Sequence, residues 1–431
     1  MQMEKEIILP SRKVTDTGFW RGSCVDAVCR PLVINQFWLY EGYPDTGRMK
    51  DALAELLSSY PVLAGRVQGD GVLCCGAGVL FETADCPDVE TWDIPRWQIP
   101  GGRYRATFDL DAVLAGKAPV MSVRVSRLRN GMLLNVRCSH FCADGNSFYR
   151  AMEEWACLTK GEKPRPGAGY DDSVLPGILS GSQIYRAVAG ATEKEAGRML
   201  CGEGFFRISP KAVFRMMWQR LLRIDRRLST PAFIHRDEME AVRMEVEKSS
   251  GKKTGRNAIL SAMAVDLLKG PEGWAGKSIS LVHTADHRGR VAGLPGTYMG
   301  NASFTLGPSV LPADLPVEEA AAFVEEGTGR LLSPDAEERY FGLYCAMVGR
   351  KLPYLPFDLD AAWRCRPSTL IINNCLKFNI YGMDFCGLAP SFAWPLDFSD
   401  PVRFWPAPPG MDGVFVYFTG RLAGAVSPVC R

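Results

Sequence analysis

Residues 123–156 restrict what this chain can fold into more than any other stretch. Val123 and Val125 alternate with polar neighbours, Asn130-Gly131 has the composition of a type I′ hairpin turn, and Leu134, Val136 and Cys138 alternate on a return strand. The strand runs into His140, the chain turns at Asp144-Gly145, and a helix is expected to start near Asn146 or Ser147, both good N-caps. Phe148, Met152, Trp155 and Ala156 then recur at helical spacing, so one face of that helix must be buried. A histidine is thereby mounted at the end of a stiff strand with a carboxylate four residues on. That is how a general base is held: a titratable imidazole on a rigid support with a neighbour to fix its geometry. The same His-x-x-x-Asp-Gly spacing also fits a histidine satisfied in a core or at a surface, and the pattern alone leaves both readings open.

Composition narrows the classes. A length of 431 residues suits about two to three domains. Hydrophobic residues at 47% and charged residues at 23% are globular values, and a net charge of +2 gives no argument for nucleic acid or a polyanionic partner. Several of the fourteen cysteines lie in apolar strand-like runs (Cys74-Cys75, Cys138, Cys375), where cysteine acts as a small hydrophobe rather than half of a disulfide. Met1-Gln2-Met3-Glu4-Lys5 does not read as a signal peptide, no apolar run reaches the length of a membrane span, and Pro428-Val429-Cys430-Arg431 matches no retention signal. A reducing cytoplasm is the expected compartment, with no stable membrane insertion.

Along the chain, Ile7-Ile8-Leu9 suggests a short strand, Leu32 to Tyr40 a buried strand, and Arg48 to Ser59 a helix ended by Pro61. Short strands at Val72–Cys75 and Val79–Thr83 flank Gly76-Ala77-Gly78, which reads as a hairpin turn because no helix follows to make it a phosphate loop. From about Ile184 to Leu228 arginines crowd around Phe214 and Trp218. A basic helix of this kind suits a solvated crossover better than a membrane surface, and the domain boundary is placed there: 1–190, a linker at 191–230, and 231–431. The second half is expected to hold a strand at Ala232–His235, helices over 237–248 and from an Asn257 cap to Gly270-Pro271, and strands at 278–285, 369–374, 378–381 and 413–420 with a last short strand after. The class is mixed α/β.

The order of motifs resembles one family. His140-x-x-x-Asp144-Gly145 in mid-chain and Tyr381-Gly382-Met383-Asp384-Phe385-Cys386-Gly387 near the end resemble the two signatures of the BAHD acyltransferases. Tyr60-Pro61-Val62-Leu63-Ala64-Gly65-Arg66, Asp286-His287-Arg288 and Tyr298-Met299-Gly300-Asn301 resemble further family segments, in the expected order, over roughly residues 30–420. The resemblance implies two chloramphenicol-acetyltransferase-like domains joined by a long crossover, with the active site in a channel between them. It implies transfer of an acyl group from an acyl-CoA co-substrate to the hydroxyl or amine of a small molecule, with His140 as general base, no bound cofactor, no metal and no acyl-enzyme. Such a base is worth about 10²–10⁴ in rate. By the same resemblance Asp144 pairs with Arg288 rather than acting as a second base, Asp286 and Gly145 support the site, and Asp384, Phe385 and Gly387 shape the channel from the second domain. Lys252, Lys253, Arg256 and Asn257 lie where the family binds the coenzyme's phosphates, and a helix start with lysines is a sound anion site, though a solvated charge cluster reads equally well. A monomer acting in secondary metabolism is the expectation.

The chain departs from the family at the late signature. Asp-Phe-Gly-Trp-Gly is usual, and this chain reads Asp384-Phe385-Cys386-Gly387-Leu388; Cys375 stands where a tryptophan is usual just before that segment. A condensation-type domain shares the fold and the His-x-x-x-Asp-Gly motif but carries two adjacent histidines, and here the first place is Ser139. A metal site of Cys138, His140, Cys142 and Asp144 would need those side chains on one side of a strand and lacks the usual ligand spacing. A non-catalytic coenzyme A or metabolite binder on the same scaffold is the remaining alternative.

Overall fold

The structure, a computed structural model, describes residues 3–13, 17–96, 98–163, 169–221, 231–272, 278–307, 309–312, 314–357, 369–395 and 402–418. The fold is mixed α/β, and the chain divides into two compact units. The first takes Met1–Ile178 together with Gly293–Ser303 and Phe378–Asp397; the second takes Leu179–Ala292, Phe304–Lys377 and Phe398–Arg431. The expected partition at 1–190, 191–230 and 231–431 was contiguous, whereas each unit draws on separated segments. Asp384, Phe385 and Gly387, expected in the second domain, belong to the first unit. The expected linker is largely helical: Glu193–Gly202 behind a Thr192 capping box, and Pro210–Leu221, both in the second unit, while residues 222–230 lie outside the described range.

The first unit is built on a six-stranded sheet in the order Met3–Ile8, Val79–Cys86, Met121–Leu128, Met132–Ser139, Val33–Tyr40, Phe392–Trp394. All its pairs are antiparallel except Val79–Cys86 with Met121–Leu128, which is parallel. Val33–Tyr40 is almost wholly buried, so its polar members need partners: Asn35 accepts from Asn135 Nδ2 at 2.9 Å, and Gln36 is bonded to the Trp394 carbonyl and the Tyr149 hydroxyl, each at 2.8 Å. The helices Thr46–Ser59 and Gly145–Thr159 pack against each other, and the Trp155 indole donates to the Met49 carbonyl at 2.8 Å.

Three local expectations differ. Neither Asn130 nor Gly131 has a positive φ, so the hairpin is not closed by a type I′ turn; Arg127 faces Met132 and the Leu128 N–H bonds the Gly131 carbonyl, making Arg129-Asn130 the loop. The Asn130 amide is turned to the Thr91 N–H and hydroxyl, and Gly131 is needed for clearance, since a Cβ there would lie 2.2 Å from the Tyr40 carbonyl. Gly76-Ala77-Gly78 is not a hairpin turn either. Gly71–Cys74 belongs to a small sheet with Gly18–Arg21 and Arg66–Gln68, so this segment passes from that sheet to the large one. Residues 378–381 form no strand; Ile380–Gly382 is a 3₁₀ turn, whose backbone is caught by the Trp38 indole on the Ile380 carbonyl and the Tyr40 hydroxyl on the Met383 carbonyl.

The second unit holds a seven-stranded sheet in the order Ala232–His235, Gly413–Phe418, Val402–Pro406, Thr369–Asn374, Ser278–Asp286, Ser303–Thr305, with Ser309–Pro312 also on Ser278–Asp286. The helices Arg236–Ser250, Arg256–Glu272 and Val317–Leu331 cover a core that includes Val246, Leu260, Leu281, Val324, Phe404 and Val416. The expected last strand lies outside the described residues. No helix among the described residues is long and apolar enough to cross a membrane.

Candidate active site

Met132–Ser139 is an inner strand, paired on one side with Met121–Leu128 and on the other with Val33–Tyr40. Its ladder continues past the last strand residue, for the Ser139 N–H bonds the Val120 carbonyl at 2.8 Å and the His140 N–H bonds the Leu32 carbonyl at 3.0 Å. His140 is thus tied by its own backbone to a stiff sheet, as the sequence pattern required. The turn after it closes with the Cys142 N–H on the Ser139 carbonyl and the Tyr170 hydroxyl on the Cys142 carbonyl, and Phe141 is packed against Trp20 beneath the Arg30 guanidinium.

Asp144 is itself the N-cap of the next helix, Gly145–Thr159, which starts earlier than the expected Asn146 or Ser147 cap. Its Oδ1 accepts from the Ser147 N–H and its Oδ2 from the Ala302 N–H, both at 3.0 Å, and it is buried. Gly145 leaves room for Phe378: a Cβ there would meet that ring at 2.8 Å.

The imidazole is held by Asn301. His140 Nδ1 lies 2.9 Å from Asn301 Oδ1, while Asn301 Nδ2 donates to the His140 carbonyl at 2.8 Å. Asn301 is fully buried, and it rests on Asp26, whose Oδ1 accepts from the Asn301 N–H at 2.7 Å and from Nδ2 at 2.8 Å. The other Asp26 oxygen takes the Ser23 N–H and hydroxyl at 2.7 and 2.6 Å, closing a capping box at the helix Cys24–Cys29. Burial pushes the Asp26 carboxyl up to about 6, against the pull of its hydrogen bonds from Ser23 and Asn301, so it is ionised at neutral pH. Sequence reasoning reaches Asn301 only as part of a motif and does not reach Asp26. The one signal for Asp26 was the Ser23-x-x-Asp26 spacing of a capping box, which says nothing of a partner 275 residues away.

The remaining sequence candidates divide between the units. Arg288 and Asp286 belong to the second unit, where Arg288 Nη1 meets Asp286 Oδ1 and Lys377 Nζ meets Asp286 Oδ2, each at 2.9 Å. In the first unit, Asp384 binds the Lys160 ammonium through both oxygens, at 3.1 and 3.2 Å, and the buried Phe385 ring packs edge-on against Trp155 and Tyr40. Cys386 and Gly387 both have left-handed backbones (φ 54° and 84°), so the glycine usual at the place of Cys386 has a conformational reason. In the second unit Lys252, Lys253 and Arg256 are exposed ahead of or at the start of the helix Arg256–Glu272. Asn257 is not its cap; it lies inside the first turn, with its amide engaged by His283 and Asn374. The Gly255 N–H at this helix start is taken by Glu325.

Burial pushes the Cys138 thiol up to about 12 and the Cys142 thiol well above its ordinary value, so neither is a thiolate at neutral pH. Both flank His140 in sequence, and neither is suited to carry an acyl group. The strand ends at Ser139, which removes the alternation on which a Cys138–His140–Cys142 metal set was argued, and no group of three or more metal-binding side chains is found among the described residues.

Comparison with known proteins adds to this geometry. A family model described as "Transferase family" matches residues 1–168. An oat (Avena sativa) protein, "Hydroxycinnamoyl-CoA:5-hydroxyanthranilate N-hydroxycinnamoyltransferase HHT1", is 32% identical over 127 residues, 28% of this chain and only 29% of its own length. A second oat enzyme of that description, HHT4, is 25% identical over 384 residues, 82% of this chain and 78% of its own. The fold is that of vinorine synthase, with a TM-score of 0.66 and 17% identity over 99% of this chain and 97% of the other.

Proposed function

We propose that this protein is a BAHD-type acyltransferase, moving an acyl group from an acyl-CoA thioester to the hydroxyl or amine of a small molecule, with His140 as general base. The observation that carries the reading is the 2.9 Å contact between His140 Nδ1 and Asn301 Oδ1, on a histidine tied to an inner strand. An amide oxygen accepts only, so Nδ1 carries the proton and Nε2 the lone pair. Nε2 takes the proton of the acceptor O–H or N–H as that atom attacks the thioester carbonyl. The tetrahedral intermediate then expels the coenzyme A thiolate, which recovers the proton from Nε2 as free thiol, leaving ester or amide. The protonated Cys138 and Cys142 favour direct transfer over an acyl-enzyme. Names of the oat relatives suggest hydroxycinnamoyl-CoA among the donors to try. Lys252, Lys253 and Arg256 are offered as contacts for the coenzyme's phosphates, and the protein is taken to work as a cytoplasmic monomer.

The test is thiol release from a panel of acetyl-, malonyl- and hydroxycinnamoyl-CoA with mixed hydroxyl and amine acceptors, for wild type and His140→Ala. Acceptor-dependent release that falls about 10²–10⁴-fold in the variant is the expected result. Equal release from both proteins would remove His140 as the base.

A further inference from the structure

Behind His140 lies a buried polar chain that acyl transfer itself does not consume. Asn301 has one carbonyl and two N–H hydrogens on its side chain, and their order decides the state of the histidine. Its Nδ2 lies 2.8 Å from Asp26 Oδ1 and 2.8 Å from the His140 carbonyl oxygen. An ionised carboxylate and a carbonyl can only accept, so both must face the NH₂ end. Turning the amide over would set oxygen against oxygen twice in a site closed to water, since Asn301 and Asp26 are both 0% exposed. Oδ1 is left facing His140 Nδ1, where it can only accept. Asp26 is in turn fixed by Ser23, whose N–H and hydroxyl hold the second carboxylate oxygen, and its Oδ1 also takes the Asn301 N–H. Every link has a defined donor and acceptor, and its two central members, Asp26 and Asn301, are fully buried.

We propose that Asp26 is a positioning residue for His140: through the amide of Asn301 it fixes the tautomer with the proton on Nδ1 and the lone pair on Nε2. The proposal deepens the general-base reading and rests on it for its catalytic consequence, but the tautomer is a property of the resting protein. Without Asp26 the amide has one acceptor fewer to orient it. Without the Asn301 side chain, Nδ1 loses the acceptor that Oδ1 presents to it. The imidazole then relaxes toward the form with its proton on Nε2, in which the lone pair is turned away from the reacting side.

The chain has four histidines, so ¹⁵N-histidine labelling of the full-length protein gives few ring-nitrogen signals, and His140→Gln identifies the one that matters. Long-range ¹H–¹⁵N correlation reads which nitrogen carries the proton. The wild type is expected to show His140 with Nδ1 protonated; Asp26→Asn and Asn301→Ala are expected to shift it toward Nε2 protonation. Turnover should fall about 10–100-fold in both, within the range a general base contributes, with KM for acyl-CoA changed less than twofold. Asn301→Ser, a milder change, gives the same reading should Asp26→Asn fail to fold. Nε2 protonation in the wild type, or a tautomer unchanged in the variants, overturns the proposal. If no acyl-CoA is turned over by the wild type, the functional reading fails while the tautomer measurement still decides this one.

Discussion

Asp144 shows how much one side chain can carry without touching substrate. It caps the helix Gly145–Thr159 through the Ser147 N–H and holds the Ala302 N–H with its other oxygen, next to the Gly300-Asn301 segment that orients His140. Replacing it with alanine removes a cap worth about 1 kcal/mol. It also leaves buried donors unmet, at about 1–3 kcal/mol each. Asp144→Ala is therefore expected to lower the unfolding free energy by about 2–4 kcal/mol in denaturant titration. A loss under about 0.5 kcal/mol would mean that other groups replace both hydrogen bonds. The residue was legible as a member of the His-x-x-x-Asp-Gly pattern. Its capping role shows in the structure, where the helix starts at Gly145.

Between neighbouring strands, the hairpin Met121–Leu128 and Met132–Ser139 depends on a glycine for clearance rather than for turn conformation. A Cβ on Gly131 would sit 2.2 Å from the Tyr40 carbonyl oxygen, a backbone atom that cannot swing aside. Gly131→Ala is expected to destabilise the protein by about 1–3 kcal/mol, read as a lowered Tm, because the sheet must shift to admit it. An unchanged Tm would show that the edge of Val33–Tyr40 yields easily. The Asn-Gly pair suggested a type I′ turn, and local sequence favours that turn. The Asn130–Thr91 hydrogen bonds and the close approach of Tyr40 shift the loop to Arg129-Asn130 instead. Tertiary contacts here outweigh a local preference.

For the whole molecule, buried titratable groups oppose one another as pH falls. Burial lowers the His283 pKa to about 4 and lowers that of His287 despite the contact with Glu337, so each stabilises the fold above its unfolded pKa near 6.5 and loses that contribution on acidification. Asp26 acts in reverse. Its pKa is raised to about 6, so its contribution is fully present below the unfolded value near 3.8 and is lost as pH rises through 6. Between pH 7 and 5 the wild type gains from Asp26 part of what the histidines lose. Asp26→Asn removes that gain, and its unfolding free energy should fall more steeply over this interval. The added slope is bounded by about 1.4 kcal/mol per pH unit for one proton. Parallel urea titrations at pH 7, 6 and 5 measure it; identical slopes in the two proteins would mean that Asp26 does not titrate in this range.

Some of this was determined by the sequence alone. Alternation at Val123–Val125 and Leu134–Cys138 and the helical spacing from Phe148 to Ala156 depend on near neighbours along the chain, so the strand, His140 and the helix after it could be read directly. The order of motifs from Tyr60 to Gly387 likewise resembles that of one family. What the sequence left undecided is whatever depends on distant segments meeting. The Asp26–Asn301–His140 chain joins residues up to 275 positions apart, and the first unit closes its sheet with Phe392–Trp394 on Val33–Tyr40. Asn257, which looked like a cap, is turned instead to His283 and Asn374. Buried polar groups must find partners wherever the fold brings them, and no local pattern records which partner that is.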